Sequence, residues 1–120
     1  MPSIRVYAIA DVVEEIDVAV QFDLLEALRR EVAKTLEIKI EHVEALWLPL
    51  EIGINTAPLM IDVMYSVNPD FSPDKGTRTI LADKLAWIAL KFDGMPKSVF
   101  EVACWILPQH DATFRVAKAE

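Results

Sequence analysis

Alternation and helical spacing of apolar residues divide the first half of the chain into three elements. Residues 4–10 alternate between apolar and polar side chains, which predicts a strand that starts almost at the first residue. Apolar residues at spacings of three and four then predict a helix, and its inward stripe is Phe22, Leu25, Leu28, Val32 and Leu36. Residues 42–48 predict a second strand, which we expect Pro49 to close.

The second half of the chain shows the same order of elements. Gly53, Asn55 and Pro58 indicate a turn before a strand over 59–67, and residues 68–76 are rich in Pro, Asp and Ser, which is typical of a surface loop. A second helix is predicted from Thr77 as N-cap to Gly94, and its inward residues are Leu81, Leu85, Ile88 and Phe92. A last strand is predicted over 99–107.

The two halves match each other in pattern. Ile4 corresponds to Ile61 and Val43 to Phe100 at a spacing of 57, while the helices align at 56. We therefore interpret residues 1–120 as one α+β domain made of two pseudo-repeats, about 2–49 and 58–108. Each half predicts a parallel, right-handed β-α-β unit, and together they predict a βαββαβ chain with a four-stranded sheet and two helices on one face.

The face of the sheet opposite the helices is predicted to be charged. Counting in twos along the strands puts four charged residues there: Arg5, Glu44, Asp62 and Glu101. Such a face must meet solvent, another subunit or a channel. Pairing of Arg5 with a neighbouring carboxylate is the simpler interpretation, and a catalytic pair of carboxylates is the alternative.

Composition narrows the classes of partner. The formal charge is -7 and the basic residues are scattered, so nucleic acid is not expected as a partner. Hydrophobic residues make up 53% of the chain, which favours apolar surface buried between subunits. No apolar run approaches the ~18 residues of a membrane span, and no signal peptide is apparent, so we expect a cytoplasmic protein. The single cysteine, Cys104, is expected to be structural.

Pro2 is the residue with the clearest chemical potential. Removal of Met1 would leave a secondary amine directly before the first strand. A free α-amino group titrates at about 7.7–8.0, so this amine could take a proton from a carbon next to a carbonyl. Holding the amine on a strand would give it a fixed position.

The chain has Met-Pro before a strand and a doubled β-α-β plan, and in these features it resembles the tautomerase superfamily. In length it is similar to the macrophage migration inhibitory factor and 5-carboxymethyl-2-hydroxymuconate isomerase branches of that superfamily. The resemblance implies a homotrimer whose sheets line a channel and whose sites form around the N-terminal proline at subunit contacts. It implies Pro2 as the catalytic amine. It further implies four substrate-binding positions: Lys39, Ser66, Val67 and Phe100. No cofactor and no metal are implied.

Some polar groups of the family have no counterpart here. Phe100 and Val102 stand where one branch supplies a Tyr and an Asn, and three arginines stay unplaced: Arg5, Arg78 and Arg115. The predicted function is a tautomerase or isomerase acting on a small 2-oxo or 2-hydroxy-enoic acid. The alternatives are a non-catalytic oligomeric protein of this fold that binds small molecules, and a ferredoxin-like ligand-sensing domain, whose βαββαβ sheet is antiparallel. Neither His42 nor His110 has a second ligand at metal spacing.

Overall fold

A computed structural model describes residues 2–50, 57–110 and 117 of the chain. The elements in chain order are β1 Ser3–Ile9, α1 Ala10–Glu15, α2 Val18–Leu36, a 3₁₀ helix Ile40–His42, β2 Glu44–Leu50, β3 Leu59–Ser66, α3 Lys75–Leu90 and β4 Val102–Gln109. Gly53 and Asn55 of the predicted turn, and Arg115, lie outside the described residues.

The four strands form one mixed sheet in the order β2-β1-β3-β4. β1 runs parallel to β2, β3 runs parallel to β4, and the two central strands β1 and β3 are antiparallel. Because a ferredoxin-like sheet is antiparallel throughout, the ferredoxin-like alternative is wrong. The predicted βαββαβ fold of the α+β class is confirmed.

The core lies between one face of the sheet and the two long helices. Alternate residues of the central strands are fully buried, such as Val6 in β1 and Ile61 in β3. Leu28 of α2 and Leu85 of α3 are also fully buried and belong to the same cluster, so both helices cover the same face. Burying a side chain of this size contributes about 1.5–3 kcal/mol.

The buried positions of the helices differ from the predicted stripes. Leu28, Val32 and Leu36 of α2 are buried as predicted, whereas Phe22 is 62% exposed and Leu24 is fully buried, so the predicted stripe is wrong only near the start of the helix. The fully buried residues of the two helices then recur at a spacing of 57, as Leu24 with Leu81 and Leu28 with Leu85, instead of 56. The division into pseudo-repeats 2–49 and 58–108 stays a prediction.

Several element ends also differ from the prediction. The N-cap of α3 is Asp74, whose Oδ1 accepts a hydrogen bond of 2.7 Å from the N–H of Thr77. The carboxylate acts as the cap because it reaches the third residue along, which is the usual N-cap geometry. Pro49 lies inside β2, which tolerates it because β2 is an edge strand. α1 is an additional short helix.

The uncovered face of the sheet is more apolar than predicted. Glu101 lies before β4, and the strand positions on this face include Leu46, Leu48, Met60, Met64, Trp105 and Leu107. Arg5, Glu44 and Asp62 remain on this face, and Arg5 and Asp62 face each other directly in the β1–β3 register. Glu44 and Asp62 are separated by β1, so the strands do not form the adjacent pair of carboxylates that the dyad alternative requires.

The direction of the strands gives the sheet two chemically different ends. At the end we call the Pro2 end, β1 and β2 begin and β3 and β4 finish, with Ser3 opposite Glu44 and Ser66 opposite Gln109. At the Pro58 end, β1 and β2 finish and β3 and β4 begin. No helix among the described residues is long and apolar enough to cross a membrane.

Candidate active site

Pro2 lies directly before β1, an interior strand of the sheet, and it is buried. Its carbonyl oxygen accepts a hydrogen bond of 3.1 Å from the N–H of Glu44, the first residue of β2. The sheet ladder therefore extends to Pro2 itself. A residue held in this way has a defined position relative to its neighbours, which an acid–base group needs.

A cavity of about 340 Å³ opens beside Pro2 at the Pro2 end of the sheet. The described residues that line it come from three parts of the chain: Pro2, Ile38, His42, Ser66, Asn68 and Phe71. Three of these side chains carry polar groups and three are apolar. This volume falls in the range of small-molecule sites, which combine an apolar wall with a few polar groups.

One wall is the turn that follows α2. α2 ends at Leu36, its C-cap Glu37 has a left-handed backbone (φ 56°), and the chain then enters the 3₁₀ helix Ile40–His42. Arg29 of α2 holds this turn. Its Nε donates to the carbonyl oxygen of Val43 at 2.7 Å, and its Nη2 donates to that of Ile40 at 3.0 Å.

The opposite wall follows β3. The backbones of Asn68 and Phe71 exchange two hydrogen bonds, of 3.1 and 3.0 Å, and the ring of Phe71 packs edge-on against Tyr65 with centroids 5.6 Å apart. Burial raises the pKa of Tyr65, and the nearby charge of Arg78 opposes that rise.

The structure brings together two of the five site residues predicted from the sequence. Ser66 lines the cavity with Pro2. Lys39 is exposed and follows the lining residue Ile38, so its side chain is outside the group that lines the cavity. The N–H of Val67 is occupied, because it donates to the carbonyl oxygen of Gln109 at 3.0 Å.

Phe100 lies elsewhere. It precedes β4 at the Pro58 end of the sheet, is 72% exposed, and lines a separate cavity of about 240 Å³ with Trp87. Of the unplaced arginines, Arg5 lies on the uncovered face of the sheet and Arg78 lies near Tyr65.

Four lining residues were not predicted from the sequence: Ile38, His42, Asn68 and Phe71. The available signal was topological. Residues that follow α2 and β3 lie at the end where β1 begins, because β1 is parallel to β2 and antiparallel to β3. His42 was considered only as a metal ligand, and the described residues contain no group of three His, Cys, Asp or Glu side chains that could hold a metal ion.

The charged residues of the uncovered sheet face do not line the Pro2 cavity. Among the described residues that line the cavity there is no lysine or arginine. On the uncovered face, desolvation raises the pKa of Asp62, while the Tyr7 hydroxyl and the charge of Arg5 lower it. Asp62 and Tyr7 line a further, largely apolar cavity of about 390 Å³ with Trp105.

Comparisons with known proteins place this geometry in a known fold. No protein-family model and no curated protein matches the sequence. Among solved structures, a fused 4-OT described as a symmetric trimer is similar with a TM-score of 0.72 and 14% identity, covering 98% of this chain and 94% of that one. The macrophage migration inhibitory factor-like protein of Entamoeba histolytica gives a TM-score of 0.67 and 12% identity, covering 95% of each chain.

A third structure, Pt0534 inactivated by 2-oxo-3-pentynoate, gives a TM-score of 0.69 and 20% identity, covering 96% of this chain and 91% of that one. All three are tautomerase-superfamily structures. The chain has the tautomerase fold. The resemblance noted in the sequence is therefore confirmed at the level of fold.

Proposed function

We propose that the chain is a tautomerase or isomerase whose base is the amine of Pro2, exposed by removal of Met1. The substrate class is a small 2-oxo or 2-hydroxy-enoic acid, and the site of action is the cytoplasm. The observation that carries the proposal is the position of Pro2, which is buried, tied to β2 through its carbonyl oxygen, and on the wall of a cavity of about 340 Å³.

The cavity walls supply what a proton transfer needs. A buried amine is favoured in its neutral, basic form because desolvation disfavours the charged form. The amine nitrogen takes a proton from the carbon beside the carbonyl group, the electrons move to the carbonyl oxygen as an enolate, and the same proton returns to a different atom. Ser66 and Asn68 carry hydrogen-bond donors at this cavity that could stabilise the enolate oxygen.

Oligomerisation is part of the proposal. The uncovered sheet face exposes apolar side chains, including Leu46 and Trp105, and Phe100 is also exposed. Since Phe100 lies at the end of the sheet opposite Pro2, it can contact a ligand at Pro2 only from a second copy of the chain. We propose a homotrimer in which a neighbour contributes Phe100, while Lys39 stands at the rim.

The test begins with the intact mass of the natively expressed protein, which must show the loss of Met1. The protein is then incubated with 2-oxo-3-pentynoate, the inactivator of the structurally similar Pt0534. We expect one adduct per chain, located on Pro2 by peptide mass spectrometry, and loss of phenylpyruvate ketonisation in step with labelling. Retention of Met1, or labelling elsewhere with activity unchanged, would contradict the proposal.

A non-catalytic binding protein of the same fold is the second candidate. The absence of lysine and arginine among the described lining residues favours it, because a fixed cation commonly stabilises a developing oxyanion. A processed chain that binds carboxylates but ketonises phenylpyruvate no faster than buffer would establish this function instead. Light scattering of the same sample measures the number of chains in the assembly.

A further inference from the structure

We propose that His42 is the side chain that contacts the carboxylate of the ligand in the Pro2 cavity, and that Arg29 is the positioning residue that holds His42 there. The inference rests on the proposed function in one respect, which is that the ligand is a small carboxylate. It assigns a role to a histidine and an arginine that neither the fold nor the sequence pattern singles out.

Among the side chains that line the cavity, His42 is the best suited to bind a carboxylate. A carboxylate that leaves water needs strong donors, and the hydrogen bonds it forms with a cation are about twice as strong as neutral ones. Of the described lining residues, Ser66 and Asn68 offer neutral donors, and His42 alone has a side chain that can carry a positive charge. His42 is also exposed, so its ring is free to meet a ligand.

The position of His42 depends on its own short helix. The N–H of His42 donates to the carbonyl oxygen of Lys39 at 3.0 Å, and the N–H of Val43 donates to that of Ile40 at 3.0 Å. A 3₁₀ helix of three residues has few internal hydrogen bonds of its own. It needs an external partner to keep one conformation.

Arg29 is that partner. Its guanidinium binds the carbonyl oxygens of Ile40 and Val43, on either side of His42, and Glu26 holds the remaining nitrogen at 2.6 Å. The planar fork of arginine can serve two carbonyl groups and a carboxylate at once, whereas the single ammonium group of lysine cannot reproduce this arrangement. Replacement of Arg29 by Lys should therefore loosen the turn while keeping the charge.

The experiment measures binding without catalysis. Isothermal titration calorimetry of the processed protein uses 3-phenylpropanoate and its neutral analogue 3-phenylpropanamide, neither of which has a 2-oxo group to enolise. The variants are His42→Phe, which keeps a flat ring and removes its nitrogens, and Arg29→Lys. Arg30→Gln is the matched control, since Arg30 is the neighbouring, exposed arginine of α2. Lys39→Gln is the competing variant, because Lys39 is the other cation proposed near the cavity.

We expect the wild type to bind the acid more tightly than the amide. His42→Phe should weaken binding of the acid about tenfold, equivalent to ~1.4 kcal/mol, and change binding of the amide less than about twofold. Arg29→Lys should lower the same preference for acid over amide, but should have no further effect on it in a His42→Phe background, because both residues then act through one contact.

Three results would overturn the inference: a wild type without preference for the acid, a preference unchanged in His42→Phe, or a larger loss in Lys39→Gln than in His42→Phe. These outcomes are separate from those of the proposed function. If the wild type prefers the acid over the amide but does not ketonise phenylpyruvate, only the tautomerase proposal is contradicted. If the protein ketonises phenylpyruvate but its preference for the acid over the amide is unchanged in His42→Phe, only this inference is contradicted.

Discussion

Two prolines open the two β-α-β halves of the molecule, and they differ in one respect that matters for chemistry. Pro2 directly precedes β1 and Pro58 directly precedes β3, and both are buried. The carbonyl oxygen of each accepts a backbone hydrogen bond from another strand, 3.1 Å from Glu44 for Pro2 and 3.3 Å from Ile9 for Pro58. The nitrogen of Pro58 stays in an amide, whereas that of Pro2 becomes an amine when Met1 is removed.

The fold supplies the fixed position of each proline, and the chain terminus supplies the free amine. Both halves hold a proline at the start of an interior strand, at opposite ends of the sheet because β1 and β3 are antiparallel. The scaffold can therefore fix a proline in either half. Only processing at Met1 can turn one of them into a base.

The largest expected effect is on catalysis, where the two prolines should differ. Pro2→Ala should lower phenylpyruvate ketonisation about 100-fold, the lower end of what general acid–base catalysis contributes. Pro58→Ala should leave the activity within about twofold, because its nitrogen has no basic lone pair in either form. Steady-state kinetics measures both. Equal losses in the two variants would show that the prolines serve only the fold.

The next effect concerns the chain reversal after α3. Gly94 has a left-handed backbone (φ 93°), and an added Cβ would lie 2.7 Å from Cγ2 of Val20. Gly94→Ala should therefore cost about 2 kcal/mol in the free energy of unfolding. Gly76→Ala is the control, because its Cβ would only approach Oδ1 of Asp74 at 3.4 Å and the position is helical. Urea unfolding should show Gly76→Ala as neutral or stabilising.

The first half makes the equivalent reversal without a glycine. Glu37 ends α2 with φ 56°, a conformation that disfavours residues with a Cβ. Glu37→Gly should raise the free energy of unfolding by about 0.5 kcal/mol, whereas Glu41→Gly, at an exposed position of the 3₁₀ helix, should lower it. Urea unfolding of the pair checks this. A loss in Glu37→Gly would mean that the side chain stabilises the turn.

The smallest effect compares the starts of the long helices. Asp74 caps α3 through Thr77, whereas Asp17 at the start of α2 makes no side-chain cap bond. Asp74→Ala should lower Tm at neutral pH more than Asp17→Ala. The hydrogen bond from Thr77 lowers the pKa of Asp74 below its ordinary 3.8. Its stabilisation is therefore present above 3.8 and is lost as the pH falls through the folded-state pKa.

Thermal unfolding at neutral pH and at about pH 3 follows this loss, and the gap between wild type and Asp74→Ala should narrow in acid. Ionisation of Asp62 has the opposite effect on stability. Burial raises the pKa of Asp62, so its ionised carboxylate opposes folding of the single chain at neutral pH. Asp62→Asn should therefore raise the stability of the chain more at neutral pH than in acid. A gap between wild type and Asp74→Ala that does not change with pH would show that the cap bond does not form in solution.

The expectation that Cys104 is structural depends on the local environment of its thiol. Desolvation, with the charges of Asp62 and Asp83, raises the pKa of its thiol to about 12. A thiol in that state is a poor nucleophile at neutral pH. This environment agrees with the structural role expected from its place in an apolar run.

The sequence pattern predicted the order of elements because period-two and period-3.6 spacings are local properties of the chain. Ile4, Val6, Leu28 and Leu85 are buried as expected. The pattern placed Phe22 inward and Thr77 at the N-cap, and both predictions were wrong. Local spacing cannot determine which turn of a helix first contacts the sheet or which carboxylate reaches a free backbone N–H, because both depend on packing partners.

By itself, the sequence determined the fold class, the proline before the first strand, and the presence of a β-α-β pattern in each half. The tertiary structure alone decided that Pro2, His42, Ser66 and Phe71 share one cavity, and that Phe100 lies at the far end of the sheet. The physical reason is strand direction. The β-α-β pattern predicts parallel pairing within each half, but the loops that meet at one end of the sheet also depend on the antiparallel pairing of β1 with β3, a long-range property that no local spacing of residues encodes.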